Sequence, residues 1–247
     1  MIYIYFKYLI YINNHGQQMS HILKEIIKNI SIDCVIFGFE KQCLEVLLVK
    51  RAINPSKGQW ALPGGFIKKS ELIEHATERI LYETTGVKGI YLEEVAIFDK
   101  VHRYPTWRVF TIAHFALVSP EFYSLTPGVD TTAVKWFKLN ELPRLPFDHK
   151  DIIELSLSKL RTRVMYRPIG FELLPEKFTL PQLQKLYEVI LGKKLDKRNF
   201  RKKLLNMNLL KKLKEKEEGN KTRAAHLYKF DKNNYNKLKD KGFIFEL

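Results

Sequence analysis

Gly65, Glu71, Arg79, Leu81, Glu83, Gly86 and Val87 are spaced as a loop, a helix and a second loop. Ser70 is expected to cap that helix, and Glu71 and Glu74 to sit at the positive end of its dipole. Gly86 is expected to end it in a left-handed conformation, so the helix spans about Glu71 to Thr85. Positions 80, 83 and 84 lie three and four residues apart and share one face. Carboxylates clustered on such a face can hold Mg²⁺ or Mn²⁺ against a diphosphate, because hard divalent ions take several anionic oxygens together with substrate phosphates. Here the face carries Ile80, Glu83 and Thr84. Glu78 lies about 140° around the helix from Glu83 and does not fill the gap. The spacing suits metal-assisted diphosphate chemistry, but only one of the acids is present.

This stretch resembles a Nudix box, whose family form reads G-x5-E-x7-R-E-U-x-E-E-x-G-U, with U a bulky aliphatic residue. The chain departs from it at Ile80 and Thr84, where the family has Glu. Trp60-Ala-Leu-Pro-Gly-Gly-Phe66 is also similar to the segment that leads into that box. Gly64 and Gly65 permit a backbone turn there that a side chain would block.

The elements that must position this helix read as follows. Ser31–Phe39 and Leu44–Arg51 are rich in β-branched and aliphatic residues and flank a polar turn at 40–42, which predicts a β-hairpin. Ile90–Lys100 and Arg108–Leu117 form a second strand pair, and Ala133–Leu139 a further strand. Asp148 is expected to cap a helix from His149 to about Arg163, with Ile152, Ile153, Leu155, Leu157 and Leu160 on its apolar side. Strands alternating with two helices predict a mixed sheet between helices, an α/β/α sandwich over residues 27–165. Residues 1–26 are set apart as a leader, disordered or a start-site artefact. The apolar run Met1–Ile12 is too short to span a bilayer.

The loop 101–107 combines fork-shaped donors with aromatic faces in His102, Arg103, Tyr104, Trp107 and Arg108, a set suited to a sugar or a nucleotide. Lys50, Arg51, Trp60, Phe66 and Glu83 are further candidates for the walls of an effector pocket. No metal site is expected. Mg²⁺ or Mn²⁺ enters only if the chain hydrolyses its ligand.

The formal net charge is +15. From Gly170 onward there are 20 Lys and Arg against 10 Asp and Glu, so two thirds of the excess lies in the last third of the chain. That asymmetry marks a basic module. Cys34 and Cys43 have neither metal-type spacing nor a disulfide framework, which fits a reducing cytoplasmic setting.

Met165–Gly170 is expected to act as a linker into a second domain, 166–247. Thr179, Pro181 and Gly192 predict the start and stop of one helix, with Leu183, Leu186, Tyr187 and Ile190 as its apolar stripe. Asp196 caps a second helix with Phe200, Leu204 and Met207 on its buried side. Lys197, Arg198, Asn199, Arg201 and Lys202 are left to face a partner. Residues 209–230 read as a hairpin wing carrying Lys221 and Arg223, while Glu215, Glu217 and Glu218 disfavour close phosphate contact beside it. Helix, turn, basic helix and hairpin form the layout of a small α+β winged helix-turn-helix.

With both halves in view, the chain resembles the Nudix-related transcriptional regulators. Ile36-Phe-Gly38, the altered box, Pro168-Ile-Gly-Phe171, Phe178–Tyr187 and Lys197–Lys202 carry the resemblance, in particular to the sugar-responsive, arabinose-sensing branch. In such regulators an Arg-x-Pro-x-x-Arg segment lies beside the former catalytic pocket, and Arg103, Pro105 and Arg108 match it. The resemblance implies a homodimer on double-stranded operator DNA and a small effector, a pentose-like sugar ahead of ADP-ribose. It gives catalysis to no residue and leaves Glu83, with Arg79, as a remnant. The alternative is a Nudix hydrolase cleaving ADP-ribose or a related nucleoside diphosphate derivative. A third reading, a binding module whose basic tail meets RNA, predicts weak and strongly salt-dependent binding.

Overall fold

The structure is a computed structural model and describes residues 25–128, 130–216, 225–241, 243 and 245. The proposed leader, apart from its last residues, lies outside the described residues.

Strand β1 (Ile26–Glu40) organises the first domain. On one edge it runs parallel to β6 (Phe110–Val118), which in turn pairs antiparallel with β5 (Glu93–Phe98). On the other edge its C-terminal half pairs antiparallel with β2 (Cys43–Arg51) through a two-residue turn. Both turn residues, Lys41 and Gln42, have positive φ, as the twist of a tight hairpin requires. The N-terminal half of β1 pairs instead with β4 (Gly64–Lys68), while β2 turns away to pair with β3 (Trp60–Ala61) and β7 (Thr131–Lys138). The sheet therefore splits between β1 and β2, and the Gly64–Gly65 backbone enters the split. A Cβ on Gly64 would stand 2.2 Å from an Asp33 carboxylate oxygen, so no side chain is accommodated there.

Alternation along β1 gives each face its own core. Ile32, Cys34 and Ile36 pack with Ala76, Ile80 and Leu81 of helix α1 (Ile73–Thr85). Val35 and Phe37 pack with Ile152, Leu160 and Val164 of helix α2 (His149–Tyr166). This is the expected α/β/α sandwich with a mixed sheet.

Two helix starts differ from expectation. Ser70 does not cap α1; Leu72 occupies that position, and the helix begins at Ile73. Glu71 stays in the preceding turn because its carboxylate accepts from the Lys68 backbone N–H at 2.6 Å and from Arg79. Asp148 stands at the N-cap of α2, but its side chain caps nothing, because Arg103 engages both of its oxygens.

The linker segment 165–170 is itself structured. α2 continues to Tyr166, and Ile169–Leu173 forms a 3-10 turn in which Gly170, Phe171 and Leu173 are buried. Helix α3 (Leu180–Leu191) follows β8 (Phe178–Thr179), held by a reciprocal capping box between Thr179 and Gln182. Asp196 caps α4 (Lys197–Asn206) by accepting from the Asn199 backbone N–H at 2.8 Å. Tyr187 and Phe200 join the two helices edge to face at 5.7 Å. Strands β9 (Leu210–Lys216) and β10 (His226–Phe230) form the hairpin, with β8 added to its edge. A further helix, α5 (Lys232–Asp240), was not foreseen; Asp231 caps it and Tyr235 and Leu238 face the core. Among the described residues no helix is long and apolar enough to cross a membrane.

The α2-side core of the first domain continues into the winged helix. Leu160 and Val164 of α2 share one apolar cluster with Leu183, Leu186 and Tyr187 of α3. The Arg161 guanidinium donates to the Ile190 carbonyl at 3.0 Å across the same seam.

Candidate functional site

The box helix is held by one arginine. Arg79 donates twice to Glu71, at 2.8 and 2.5 Å, once to Glu83 at 2.7 Å, and once to the Phe66 carbonyl at 3.1 Å. The Arg79 guanidinium keeps the Glu71 carboxyl below the ordinary carboxylate range. Ile80 is buried and packs toward Gly65, and the Thr84 hydroxyl turns back to the Ile80 carbonyl at 2.7 Å. Ile80 therefore points into the core and not, as the shared helix face suggested, toward the place of an ion. A divalent metal does not fit this donor set: one of its three face positions is a core aliphatic, one is a self-satisfied hydroxyl, and the third is engaged by Arg79. Among the described residues no group of three His, Cys, Asp or Glu could hold a metal ion.

Beside the box a second, deeper constellation appears. Arg103, expected on the surface of its loop, is buried. It donates to both oxygens of Asp148, at 2.9 and 2.6 Å, to the Thr111 hydroxyl, and weakly to Asp33 at 3.5 Å. Asp33 lies on the α2-facing side of β1, where burial raises its carboxyl from 3.8 to about 6 against the lowering influence of Arg103. His149, at the start of α2, accepts from the Leu62 backbone N–H at 3.0 Å through Nδ1, so its proton sits on Nε2. Burial depresses its imidazole to about 3. Its 3.7 Å approach to Asp33 is thus a contact between a neutral ring and a carboxyl, not an ion pair.

These two shifts act oppositely on stability. His149 contributes stability that is present above about 6.5 and lost as pH falls toward 3. Asp33 contributes stability that is present below 3.8 and lost as pH rises through about 6. Between pH 6 and 4 the two slopes offset one another. Asp33→Asn removes one of them, so as pH falls from 6 to 4 that variant should lose stability relative to wild type, on the order of 1 kcal/mol per pH unit. Urea titrations at stepped pH measure this; parallel curves would contradict it.

Above the buried charges lies a row of rings. Tyr104 packs on Trp107 at 5.1 Å and on Phe147 at 5.3 Å, Phe66 meets Trp107 at 6.1 Å, and Phe147 leans on His149 at 5.2 Å. Arg51 stands over Phe147 at 5.6 Å, its Nε fixed by the Pro55 carbonyl at 2.8 Å. The structure thus brings Arg51 and Phe66 of the sequence candidates together. Trp60 packs instead edge to face on Phe137 at 4.8 Å and serves the sheet. Arg108 lies over Phe110 at 4.7 Å, Lys50 belongs to β2, and His102 is exposed. Sequence reasoning missed Asp33, Phe147, Asp148 and His149 as members of the site. The available signal for Asp33 was an acid inside a run of strand apolars.

At the other end of the chain, Lys197, Arg198, Asn199 and Lys202 are exposed on α4. Arg201 is half-buried, with its Nε enclosed and without a partner among the described residues. Lys221 and Arg223 lie outside the described residues. Glu215 is paired with Lys177 at 2.6 Å, so it does not stand as a free acid beside the wing.

Residues 28–156 match the NUDIX domain family, and residues 170–230 match the NrtR DNA-binding winged helix domain. The chain is 31% identical over 209 residues to the ADPR responsive transcriptional repressor of Acinetobacter baylyi, covering 83% of each. The chain belongs to the NrtR family. A crystal structure of Shewanella oneidensis NrtR complexed with a 27mer DNA superposes on it with a TM-score of 0.68 at 32% identity, covering 82% of this chain and 93% of that one. The ADP-ribose pyrophosphatase of Methanocaldococcus jannaschii is 36% identical over 111 residues, 44% of this chain and 64% of that enzyme. NrtR membership replaces the arabinose-sensing branch to which the sequence motifs were assigned. The altered box and the basic winged helix, on which that branch rested, fall within the segments that match the NUDIX and NrtR winged helix domains.

Proposed function

We propose that this chain is a DNA-binding transcriptional repressor whose Nudix domain receives ADP-ribose without hydrolysing it. The observation that carries the reading is Arg79: it ties Glu71 and Glu83, the two remaining box carboxylates named in the motif, into a structural knot, within a chain similar to an ADPR-responsive repressor over 83% of its length. ADP-ribose replaces the pentose-like sugar as the proposed effector. It offers an adenine face to the Phe66–Trp107–Tyr104–Phe147 row and a diphosphate to Arg51. Since these rings pack on one another, an entering base must displace Tyr104 or Trp107. That displacement pulls on the neighbouring Arg103, which grips Asp148 at the start of α2, and the far half of α2 packs on α3 of the winged helix. The differential affinity of ADP-ribose for the two arrangements would set the DNA response.

On DNA, a homodimer would lay α4 of each subunit into successive major grooves, with Arg198 and Asn199 toward base edges and Lys197 and Lys202 toward phosphates. Similarity to an ADP-ribose pyrophosphatase keeps one alternative measurable. Calorimetry with ADP-ribose, paired with a turnover assay in Mg²⁺ or Mn²⁺, is expected to show saturable binding and no turnover above background. Metal-dependent cleavage lost in Glu83→Gln would establish the enzyme instead. Arg198→Ala should weaken binding to a selected duplex by about 1–3 kcal/mol and relax its specificity; unchanged binding would remove α4 from the groove.

A further inference from the structure

We propose that the cleft between the inter-domain segment and α5 is a second small-molecule site, which takes a planar organic anion. The cleft has a volume of about 430 Å³, within the range of roughly 300–1,000 Å³ usual for small-ligand pockets. Its floor is aromatic: Phe171 and Phe230 stack at 4.4 Å with their planes 16° apart, and Phe178 and Tyr235 flank them at 5.8 Å each. Pro168 and Ile169 close one side. A flat apolar body is the shape that such a floor and wall receive.

The rim sets the charge of the occupant. Four charged side chains line the cleft: Arg167, Lys229, Lys232 and Glu176. Lys229 and Glu176 form an ion pair and cancel. Arg167 and Lys232 form no ion pair with any carboxylate whose side chain is described, and both line the apolar cleft. An aromatic carboxylate or a similar flat anion satisfies floor and rim together; a neutral ring satisfies only the floor, and a bare inorganic anion only the rim. The site is separate from the aromatic row: it is built from residues 167–178, β10 and α5, none of which contributes to that row. An occupant would bridge the segment leaving α2 to the wing strand β10.

The test uses the full chain and naphthalene-2-carboxylate as the probe, with naphthalene-2-methanol as its neutral counterpart. Calorimetry should show one saturable site for the acid, and about tenfold weaker binding of the alcohol, as expected for loss of a charge-assisted contact. Arg167→Gln and Lys232→Gln should each weaken the acid several-fold, and Asn236→Trp, which fills the rim, should abolish its binding. All three residues are exposed, so their variants are expected to fold. ADP-ribose should not compete with the probe. Absence of saturation, equal affinity for acid and alcohol, indifference to all three substitutions, or displacement by ADP-ribose would each overturn the proposal. The first three outcomes leave the ADP-ribose reading intact.

Discussion

Replacing Asp148 by alanine is expected to destabilise the fold by about 3–5 kcal/mol, the range for breaking a buried ion pair by removing one partner. Arg103 would keep its charge inside the protein with its bidentate partner gone, leaving the Thr111 hydroxyl and, 3.5 Å away, Asp33 as the one carboxylate in reach. The Coulomb attraction lost is large where water is excluded, and the guanidinium cannot shed its proton to escape the cost. For a chain of this size the melting temperature should fall by roughly 10 °C. Asp148→Asn keeps the shape and an acceptor oxygen and should recover part of the loss. Equilibrium denaturation of the two variants beside wild type decides the matter. A loss below about 1 kcal/mol for alanine would mean that Arg103 swings out to water and that the network is not a structural pin.

The second large effect falls on the effector. Tyr104→Ala is expected to reduce ADP-ribose affinity by about 1–3 kcal/mol, roughly five- to 150-fold, the usual loss when a base is deprived of an aromatic partner. Tyr104 is half-buried and touches Phe66, Trp107 and Phe147 by its ring, while the loop backbone is kept in place by Arg103. DNA binding without ADP-ribose should therefore stay near wild type. If calorimetry finds the affinity unchanged, the base stacks elsewhere, and the row is only packing.

Much of the scaffold could be read from the chain because its signals are local. Thr179 with Gln182, Asp196 with the Asn199 amide, and the Lys41–Gln42 turn each act within four residues. The Nudix box was legible for the same reason, although its capping was misassigned: Ser70 is a good cap in isolation, and Glu71 is drawn out of the helix by Arg79, eight positions away. The site itself depends on distant partners. Arg103 meets Asp148 across 45 residues and Asp33 across 70, and Leu62 meets His149 across 87. An arginine in a loop with Pro105 and two aromatics reads as a surface donor until the fold supplies a buried acid. Tyr104 was recognised as a possible ligand face, but its neighbour Phe147 carried no signal beyond a single aromatic before a helix. The effector followed the same pattern: residue types indicated a sugar or a nucleotide, and the sugar was favoured on a resemblance shared by both kinds of regulator.

The measurement that bears most directly on the whole account is the anisotropy of a labelled duplex, selected by this protein from a random pool, as ADP-ribose is added. Bound duplex should be released in a saturable manner while the ADP-ribose is recovered intact. Duplex that stays bound at saturating ADP-ribose, or ADP-ribose consumed at an enzymatic rate, would contradict it.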